Sequence, residues 1–272
     1  MRGEGLNYRH AYHAGNFADV VKHLVLTAIL LHLRKKETPF AVIDSHAGRG
    51  LYDLLSEQAR KTGEAAGGVE RLRGLAADGA LGAYLALVNE GPGEYPGSPL
   101  IAAKLLRPQD RLAAIEKHPE EAEALKQALA PFRKARVDQG DGYARLLALL
   151  PPPERRGLVL IDPPFEAEDE FVTLAECVTA ALRRFATGVY LIWFPVKSQS
   201  AAKAFLGEVL NSGVRKALMI SVRVEAPEPR LAEAALLVLN PPFGLDDEMR
   251  EAMGVIAPRL DAACKLEWLV SQ

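Results

Sequence analysis

Residues 157–165 read Gly157-Leu158-Val159-Leu160-Ile161-Asp162-Pro163-Pro164-Phe165, and this run decides the fold class of the chain. Its first five residues are continuously apolar, which is typical of a strand buried on both faces of a sheet. The run stops at an acid and two prolines, which cannot continue a hydrogen-bonded ladder. Asp162 and Phe165 are therefore expected on a stiff loop beyond the carboxyl end of a strand, where ligands bind in open α/β sheets.

The tetrad Asp162–Phe165 resembles the catalytic loop of S-adenosylmethionine-dependent methyltransferases that act on exocyclic amines. An adenine N6 amine is a poor nucleophile, because its lone pair is delocalised into the ring. The Asp162 carboxylate and a backbone carbonyl at Pro163 are acceptors that can take its two hydrogens. Phe165 is expected to stack on the base, and the prolines place both acceptors before the substrate arrives.

A second tetrad, Asn240-Pro241-Pro242-Phe243, follows the apolar run 234–239. Counting strands makes that run the last or next-to-last of a methyltransferase-like sheet. In the fold that the chain resembles, the final strand is antiparallel, so this loop is expected at the sheet edge opposite the cofactor. Asp, unlike Asn, can also accept a proton. We therefore assign catalysis to Asp162 and a structural role to Asn240.

Bulk properties bound the class of protein. The 272 residues suit one α/β domain, or one domain with an insertion, and 49% hydrophobic residues suffice for a substantial core. A net charge of −2 argues against a charge-driven nucleic-acid binder, although a local basic patch remains compatible with RNA. The two cysteines, Cys177 and Cys264, lack metal-ligand or CxxC spacing and fit a reducing compartment. Without a signal-peptide core or a membrane-spanning run, we expect a soluble, cytoplasmic protein that uses no membrane.

A first helix is predicted from an N-cap at Asn16 to a point before Pro39, with Asp19 favouring its positive end. It is preceded by a polar, aromatic and histidine-rich tail, which by itself is typical of a solvated segment. Three histidines occur within the first 23 residues, but no carboxylate or thiolate spacing accompanies them. We therefore predict no metal site.

The next motif is a strand from Phe40 to Asp44 that runs into the turn 45–50, whose glycines let the backbone approach a nucleoside. Its spacing is not GxGxxG, because Asp53 occupies the last glycine position, and no GxxxxGK[ST] occurs anywhere. A nicotinamide-dependent oxidoreductase and a P-loop protein are thereby disfavoured. The pattern Asp-x-x-Ala-Gly-x-Gly resembles the first cofactor motif of amino-methyltransferases.

Residues 53–97 interrupt the α/β rhythm with glycines and two helical patterns, 69–75 and 81–89. We predict a small helical insertion inside a single domain that spans 1–272. After it, Ser98 is predicted as the N-cap and Pro99 as the first residue of a helix, whose N–H groups suit the cofactor's carboxylate.

Two acids then follow predicted strands. Glu116 ends a strand over 112–115 and is positioned for ribose hydroxyls, while Asp141 follows a strand over 135–137 and can accept an adenine amine. Further elements are predicted in this order: a helix over 119–130, a helix over 171–184, a strand over 189–194, a helix over 200–211, a strand over 216–224, a helix over 246–253 and a strand over 265–270.

Taken together, these motifs make the whole chain resemble the RlmJ family, bacterial methyltransferases that modify an adenine N6 in 23S ribosomal RNA. The matching residues are Tyr8-Arg9-His10, His13-Ala14-Gly15-Asn16, Ala18-Asp19-Val20, Lys22-His23, Asp44-x-His46-Ala47-Gly48, Tyr95-Pro96-Gly97-Ser98-Pro99 and Ile161-Asp162-Pro163-Pro164-Phe165.

The resemblance implies a Rossmann-like class I S-adenosylmethionine-dependent methyltransferase sheet with a small inserted helical subdomain. It implies that Asp162 is the proton acceptor and that Tyr8, His10 and Lys22 serve the RNA adenine. It further implies S-adenosyl-L-methionine as the cofactor, in contact with His23, His46, Ser98, Glu116, Asp141 and Gly142. We expect a monomer that acts on 23S ribosomal RNA.

Two alternatives stay open at this point. The first is the same chemistry on a DNA adenine N6, which the residues do not exclude. The second is a non-catalytic RNA-binding module on the same fold, which is disfavoured because the turn, Glu116 and the Asp162 loop are all intact.

Overall fold

Helices and strands alternate along the part of the chain that the computed structural model describes, residues 10–226 and 230–271. The helices are α1 (Phe17–Arg34), α2 (Glu57–Thr62), α3 (Gly79–Val88), α4 (Ser98–Leu105), α5 (Pro119–Leu129), α6 (Gly142–Leu149), α7 (Glu170–Arg184), α8 (Gln199–Asn211) and α9 (Leu245–Ile256). The strands are β1 (Ala41–Asp44), β2 (Leu51–Asp53), β3 (Glu94–Pro96), β4 (Arg111–Glu116), β5 (Ala135–Gln139), β6 (Gly157–Ile161), β7 (Val189–Pro195), β8 (Ala217–Val224), β9 (Glu233–Leu239) and β10 (Ala262–Val270).

An eight-stranded sheet in the order β10-β8-β9-β7-β6-β1-β4-β5 forms the centre of the fold. From β5 to β7 the neighbouring strands are parallel, whereas β9 is antiparallel to both β7 and β8. The chain winds from β1 outward to β5 and then returns to β6 on the other side of β1. This reversal opens a crevice at the carboxyl ends of β1 and β6, where ligands bind in such sheets. The predicted α/β class is confirmed.

Strand register brings the two predicted motifs together. Asp44 pairs with Leu160, so the turn after β1 and the loop after β6 leave the sheet side by side. Every residue of β6 is buried, as its continuous apolar run predicts. Gly157 is required at its start, because an added Cβ would lie 2.0 Å from the Ala41 carbonyl oxygen.

Apolar helix faces cover both sides of this sheet. One cluster joins α1, α3, α4, α5 and α9 to it, and the other joins α6, α7 and α8. The first helix begins as predicted, with the Asn16 side chain accepting from the Asp19 N–H at 2.9 Å. Among the described residues, no helix is long and apolar enough to cross a membrane.

The segment between β1 and α4 differs from its prediction in detail. The helical pattern at 69–75 forms only a 3-10 turn, Val69–Leu72, and the pattern at 81–89 forms α3. The segment is closed by β2 and β3, an antiparallel pair that the sequence analysis did not anticipate. Strands of three residues carry too little periodicity to be recognised from sequence.

The segment between β1 and α4 holds residues 12–16, which precede α1. Thr62 donates its hydroxyl hydrogen to the Tyr12 carbonyl oxygen, and the Val69 N–H donates to the Gly15 carbonyl oxygen at 2.8 Å. Glu64 binds the His13 ring at 2.9 Å and accepts from the Asn16 amide at 3.0 Å. These contacts fix residues 12–16 at the amino end of α1.

The predicted cap of α4 is wrong. Gly97 is the N-cap, and Ser98 and Pro99 are the first residues of the helix. The Ser98 hydroxyl instead donates to Asp44 Oδ2 at 2.7 Å. A buried carboxylate without a hydrogen-bond donor is costly, and the Ser98 hydroxyl at the start of the helix supplies that donor to Asp44.

The second tetrad lies where the sequence predicted. Because β9 is antiparallel to β7, its carboxyl end lies at the sheet edge opposite β6 and the Asp162 loop. The Asn240 amide donates to the Ala186 and Gly188 carbonyl oxygens at 2.9 and 2.8 Å. Phe243 is 97% exposed. These hydrogen bonds hold the second tetrad at the edge away from Asp162, and the structural role of Asn240 stays a prediction.

Candidate active site

A cavity of about 770 Å³ opens at the carboxyl edge of the parallel strands. Of the predicted site residues, Phe165 is not among the described residues that line this cavity, and Tyr8 lies outside the described part of the chain. The predicted site residues that line it are His10, Lys22, His23, His46, Ser98, Glu116, Asp141, Gly142, Asp162 and Pro163. Segments far apart in the sequence thus meet at one cavity.

The turn after β1 forms one wall. It is attached to both neighbouring strands, because the Ser45 N–H donates to the Leu160 carbonyl oxygen at 3.0 Å and the Ala47 N–H to the Ile115 carbonyl oxygen at 2.9 Å. Gly142, the first residue of α6, lies against this turn, and an added Cβ would be 2.2 Å from the Ser45 carbonyl oxygen. The close approach of two backbones explains why glycine stands there.

Glu116 lies at the end of β4 with both carboxylate oxygens oriented by the backbone. Oε2 accepts from the Gly48 N–H at 2.9 Å, and Oε1 accepts from the His118 N–H at 2.7 Å. Burial raises the pKa of this carboxyl, although the backbone hydrogen bonds oppose the rise. Each oxygen keeps a further lone pair, so the group can accept from two vicinal hydroxyls.

Asp141 caps α6 by accepting from the Ala144 N–H at 3.1 Å, and its other oxygen lies 3.5 Å from Lys117 Nζ. Burial opposes ionisation, but the Ala144 hydrogen bond and the Lys117 charge outweigh it and lower the pKa of Asp141. The group is a carboxylate at neutral pH and remains able to accept from an amine.

Asp44 is a buried acid that the sequence analysis did not include in the site. It is 1% exposed, its Oδ2 accepts from Ser98, and its Oδ1 has no hydrogen-bond partner among the described residues. Burial raises its pKa to about 7, although the Ser98 hydrogen bond opposes this. Its place as the acid of the Asp-x-x-Ala-Gly-x-Gly pattern was the available signal.

Two neutral histidines border the cavity. His23 contacts the Tyr95 hydroxyl through Nδ1 at 2.8 Å, and burial together with the Lys22 charge lowers its pKa to about 3. His46 Nδ1 lies 2.8 Å from Ser45 Oγ, whose hydrogen goes to the Leu160 carbonyl oxygen. His46 therefore donates from Nδ1, which makes Nε2 an acceptor. Burial lowers the pKa of His46 to about 4.

A chain of buried charges leads to Asp162. Lys22 Nζ binds Asp162 Oδ2 directly and lies 2.9 Å from Asp19 Oδ1. Asp19 Oδ2 in turn lies 2.8 Å from His10 Nε2. Burial disfavours the ammonium, but Asp162 and Asp19 outweigh it and raise the pKa of Lys22 above its ordinary value. The sequence analysis treated Asp19 only as a helix-end acid, because a contact across 140 residues leaves no local pattern.

Phe165 departs from its expected orientation. It adopts a φ of 50°, and its ring centroid lies 4.9 Å from that of Phe171 and 5.8 Å from that of Trp193. In this arrangement the ring is held by its aromatic neighbours, which favour tilted and edge-to-face contacts, and not presented to the cavity. The stacking of Phe165 on a base stays a prediction, and it requires the ring to leave these contacts.

The cavity and a buried acid behind it offer the groups that a nucleoside joined to an amino acid requires. In the lining, Glu116 suits ribose hydroxyls and Asp141 suits an adenine amine. Asp44 does not line the cavity, but it binds the lining residue Ser98, and its unpartnered Oδ1 suits an ammonium group. S-Adenosylmethionine carries all three groups, so the residues present fit it. Among the described residues, no group of three or more His, Cys, Asp or Glu is arranged to hold a metal ion.

Known proteins resemble this chain over most of its length. A family model described as "RsmJ: Ribosomal RNA large subunit methyltransferase D, RlmJ" matches residues 37–270. "Ribosomal RNA large subunit methyltransferase J" of Escherichia coli (strain K12) is 38% identical over 281 residues, 98% of this chain and 100% of the relative. Its counterpart from Haemophilus influenzae is 37% identical over 282 residues, with the same coverage. A solved structure of a Legionella pneumophila protein superposes with a TM-score of 0.86 at 30% identity, covering 94% of this chain and 98% of that one.

Proposed function

The chain belongs to the RlmJ family and is an S-adenosylmethionine-dependent methyltransferase of large-subunit ribosomal RNA, and we propose that Asp162 is its proton acceptor at the target amine. The target that fits this family is the N6 amine of an adenine in 23S ribosomal RNA. The observation that carries the proposal is that the Asp162 loop and the nucleoside-binding acids line one cavity. A loop of the same sequence at another place in the fold would not support the proposal.

The cofactor is assigned to the β1, β4 and β5 side of the cavity. Glu116 would hold the ribose hydroxyls, Asp141 the adenine amine, and Asp44 with Ser98 the amino-acid end. His23, His46 and Gly142 would complete the contacts of the wall. When bound, the sulfonium cofactor supplies an electrophilic methyl group, so the protein itself needs to provide no activating metal.

Two acceptors in fixed positions bind the hydrogens of the target amine. Lys22 binds Asp162 Oδ2 and so leaves Oδ1 for one amine hydrogen, while the Pro163 carbonyl oxygen takes the other. Both acceptors belong to a proline-stiffened loop, so little reorganisation is needed when the base enters. Asp162, or a water molecule beside it, then takes the proton that the methylated nitrogen loses.

On the RNA side, Tyr8, His10 and Lys22 are proposed to serve the flipped adenine. Lys22 is 5% exposed and its described partners are two carboxylates, which supports a role beside the base and not at a solvent-exposed phosphate. His10 lies against Tyr52 at the cavity, with ring centroids 5.1 Å apart. Phe165 would border the base only if its ring left the contacts with Phe171 and Trp193.

The remaining assignments are coarser. We propose a monomer that works without a metal, acts in the cytoplasm where ribosomal RNA is assembled, and forms a single domain with 53–97 inserted. The contacts of Glu64, Thr62 and Val69 with residues 12–16 support a role for that insertion in holding the segment before α1. A DNA adenine remains the second candidate substrate, because the Asp162 loop is equally suited to its N6 amine.

The test is methyl transfer from labelled cofactor to protein-free 23S ribosomal RNA and, in parallel, to duplex DNA. Asp162→Ala should abolish transfer while calorimetry shows nearly unchanged binding of S-adenosylhomocysteine. Asn240→Ala, in the equivalent tetrad at the opposite sheet edge, should lose stability but keep transfer. An inactive, folded Asn240→Ala beside an active Asp162→Ala would overturn the assignment, and transfer to DNA alone would overturn the substrate.

A further inference from the structure

Asp19 lies within the site although its position in α1 alone would make it a helix-end acid. It is 2% exposed, and its two oxygens have three described partners. Oδ2 accepts from the Gly15 N–H at 3.0 Å and lies 2.8 Å from His10 Nε2, while Oδ1 lies 2.9 Å from Lys22 Nζ. We propose that Asp19 is a positioning residue for methyl transfer that acts through Lys22 on Asp162.

The Asp19 carboxylate is buried, unlike an ordinary helix-end acid. A carboxylate that only favoured the positive end of a helix would do so from the surface, where such an interaction is weak and costs no desolvation. Asp19 is buried, and burial alone would raise its pKa. The neighbouring His10 ring and Lys22 ammonium outweigh that effect, so the pKa of Asp19 lies well below its ordinary value. The negative charge of Asp19 is therefore stabilised by His10 and Lys22, and not by the end of the helix.

Asp162 and Asp19 share the ammonium group of Lys22. Lys22 carries one positive charge between two carboxylates, so the three groups together are negative. Because Asp19 shares the ammonium, Asp162 is held in place without being fully neutralised, and its remaining oxygen stays a strong acceptor for an amine hydrogen. With Asp19 uncharged, Lys22 would pair with Asp162 alone, which weakens that acceptor and removes the second anchor of the ammonium.

The Asp19 carboxylate, which holds Lys22, also holds the His10 ring, and that ring borders the cavity. One side chain in the first turn of α1 therefore fixes both the residue behind Asp162 and a residue on the substrate side. This inference rests on the proposed function, because it assigns Asp19 a part in the same reaction.

Asp19→Asn keeps the size of the side chain and an acceptor for Gly15, but removes the charge. We expect kcat on 23S ribosomal RNA to fall about a hundredfold, the loss typical of a displaced catalytic group, with the dissociation constant of S-adenosylhomocysteine within threefold of wild type. In single-turnover experiments, the combined loss in the double variant Asp19→Asn with Lys22→Met should be smaller than the product of the two single losses, since Asp19 acts largely through Lys22.

Asp110→Asn is the matched control. Asp110 is fully buried, accepts from the backbone N–H groups of Phe40 and Arg107, and precedes β4 at the opposite sheet edge. It should lower the melting temperature and leave kcat unchanged. If Asp19→Asn is not recovered folded, Asp19→Thr, which keeps an acceptor for Gly15, is measured in the same way.

Wild-type kcat in Asp19→Asn, or losses that multiply in the double variant, would overturn the inference and leave the proposed function standing, provided that wild type is active and Asp162→Ala is not. Wild-type protein that fails to methylate the RNA would overturn both.

Discussion

The substitution Asp44→Asn tests the most buried acid of the site at constant size. In the folded chain without ligand, Asp44 has a pKa of about 7 in place of 3.8, mainly because it is buried. Ionising it there costs roughly 4 kcal/mol. Since the folded pKa is raised, the folded state binds the proton more tightly than the unfolded state. The contribution of Asp44 to stability is therefore greatest below pH 3.8 and is lost as the pH rises from there through about 7.

Asp44→Asn removes this dependence, because the amide does not ionise. Relative to wild type, the variant should gain up to about 4 kcal/mol of unfolding free energy between pH 4 and pH 8. Urea unfolding of both proteins without cofactor at pH 5 and pH 8 measures the change in their difference.

The cofactor should narrow the difference in stability between the two proteins. If Asp44 Oδ1 receives the ammonium of S-adenosylmethionine, wild type gains a charge-assisted hydrogen bond worth about 1.5–3 kcal/mol, which is roughly ten- to a hundredfold in affinity. Calorimetry at pH 8 should show that loss in Asp44→Asn. Equal stability differences at pH 5 and pH 8 would refute the burial argument, and unchanged affinity would remove Asp44 from the cofactor site.

Two further predictions concern the cofactor wall and the tail. Glu116→Ala should weaken S-adenosylhomocysteine binding about ten- to a hundredfold, because the ribose hydroxyls lose a charged acceptor, while RNA binding by filter retention stays unchanged; an unaltered dissociation constant would exclude Glu116 from the site. Tyr8→Ala should strongly lower turnover on RNA, since base stacking contributes about 1–3 kcal/mol, and a protein that starts at Asn16 should bind cofactor without methylating. Full activity of the shortened protein would show that the tail is solvated.

Much of the architecture follows from local pattern. The apolar run before Asp162 and the two prolines after it predict a buried strand that ends in a rigid loop, because a side chain's hydrophobicity and a proline's missing N–H act wherever the residue stands. The strand count separates Asp162 from Asn240 only together with the resemblance, because it is the resembled fold that makes the final strand antiparallel, as β9 is to β7. The edge that carries the site was therefore readable from the sequence.

What only the tertiary structure decided is which groups hold one another. Ser98 was predicted as a helix cap but donates to Asp44, and Asp19 was predicted as a helix-end acid but anchors Lys22. Lys22 was predicted as an RNA contact, and its ion pair with Asp162 was not foreseen. Each of these pairings depends on helix packing that brings a polar side chain into a place without water. An unpaired charge in such a place costs several kcal/mol, so each buried charged group is paired with a group that folding brings close to it. The spacing of residues along the sequence does not predict that pairing.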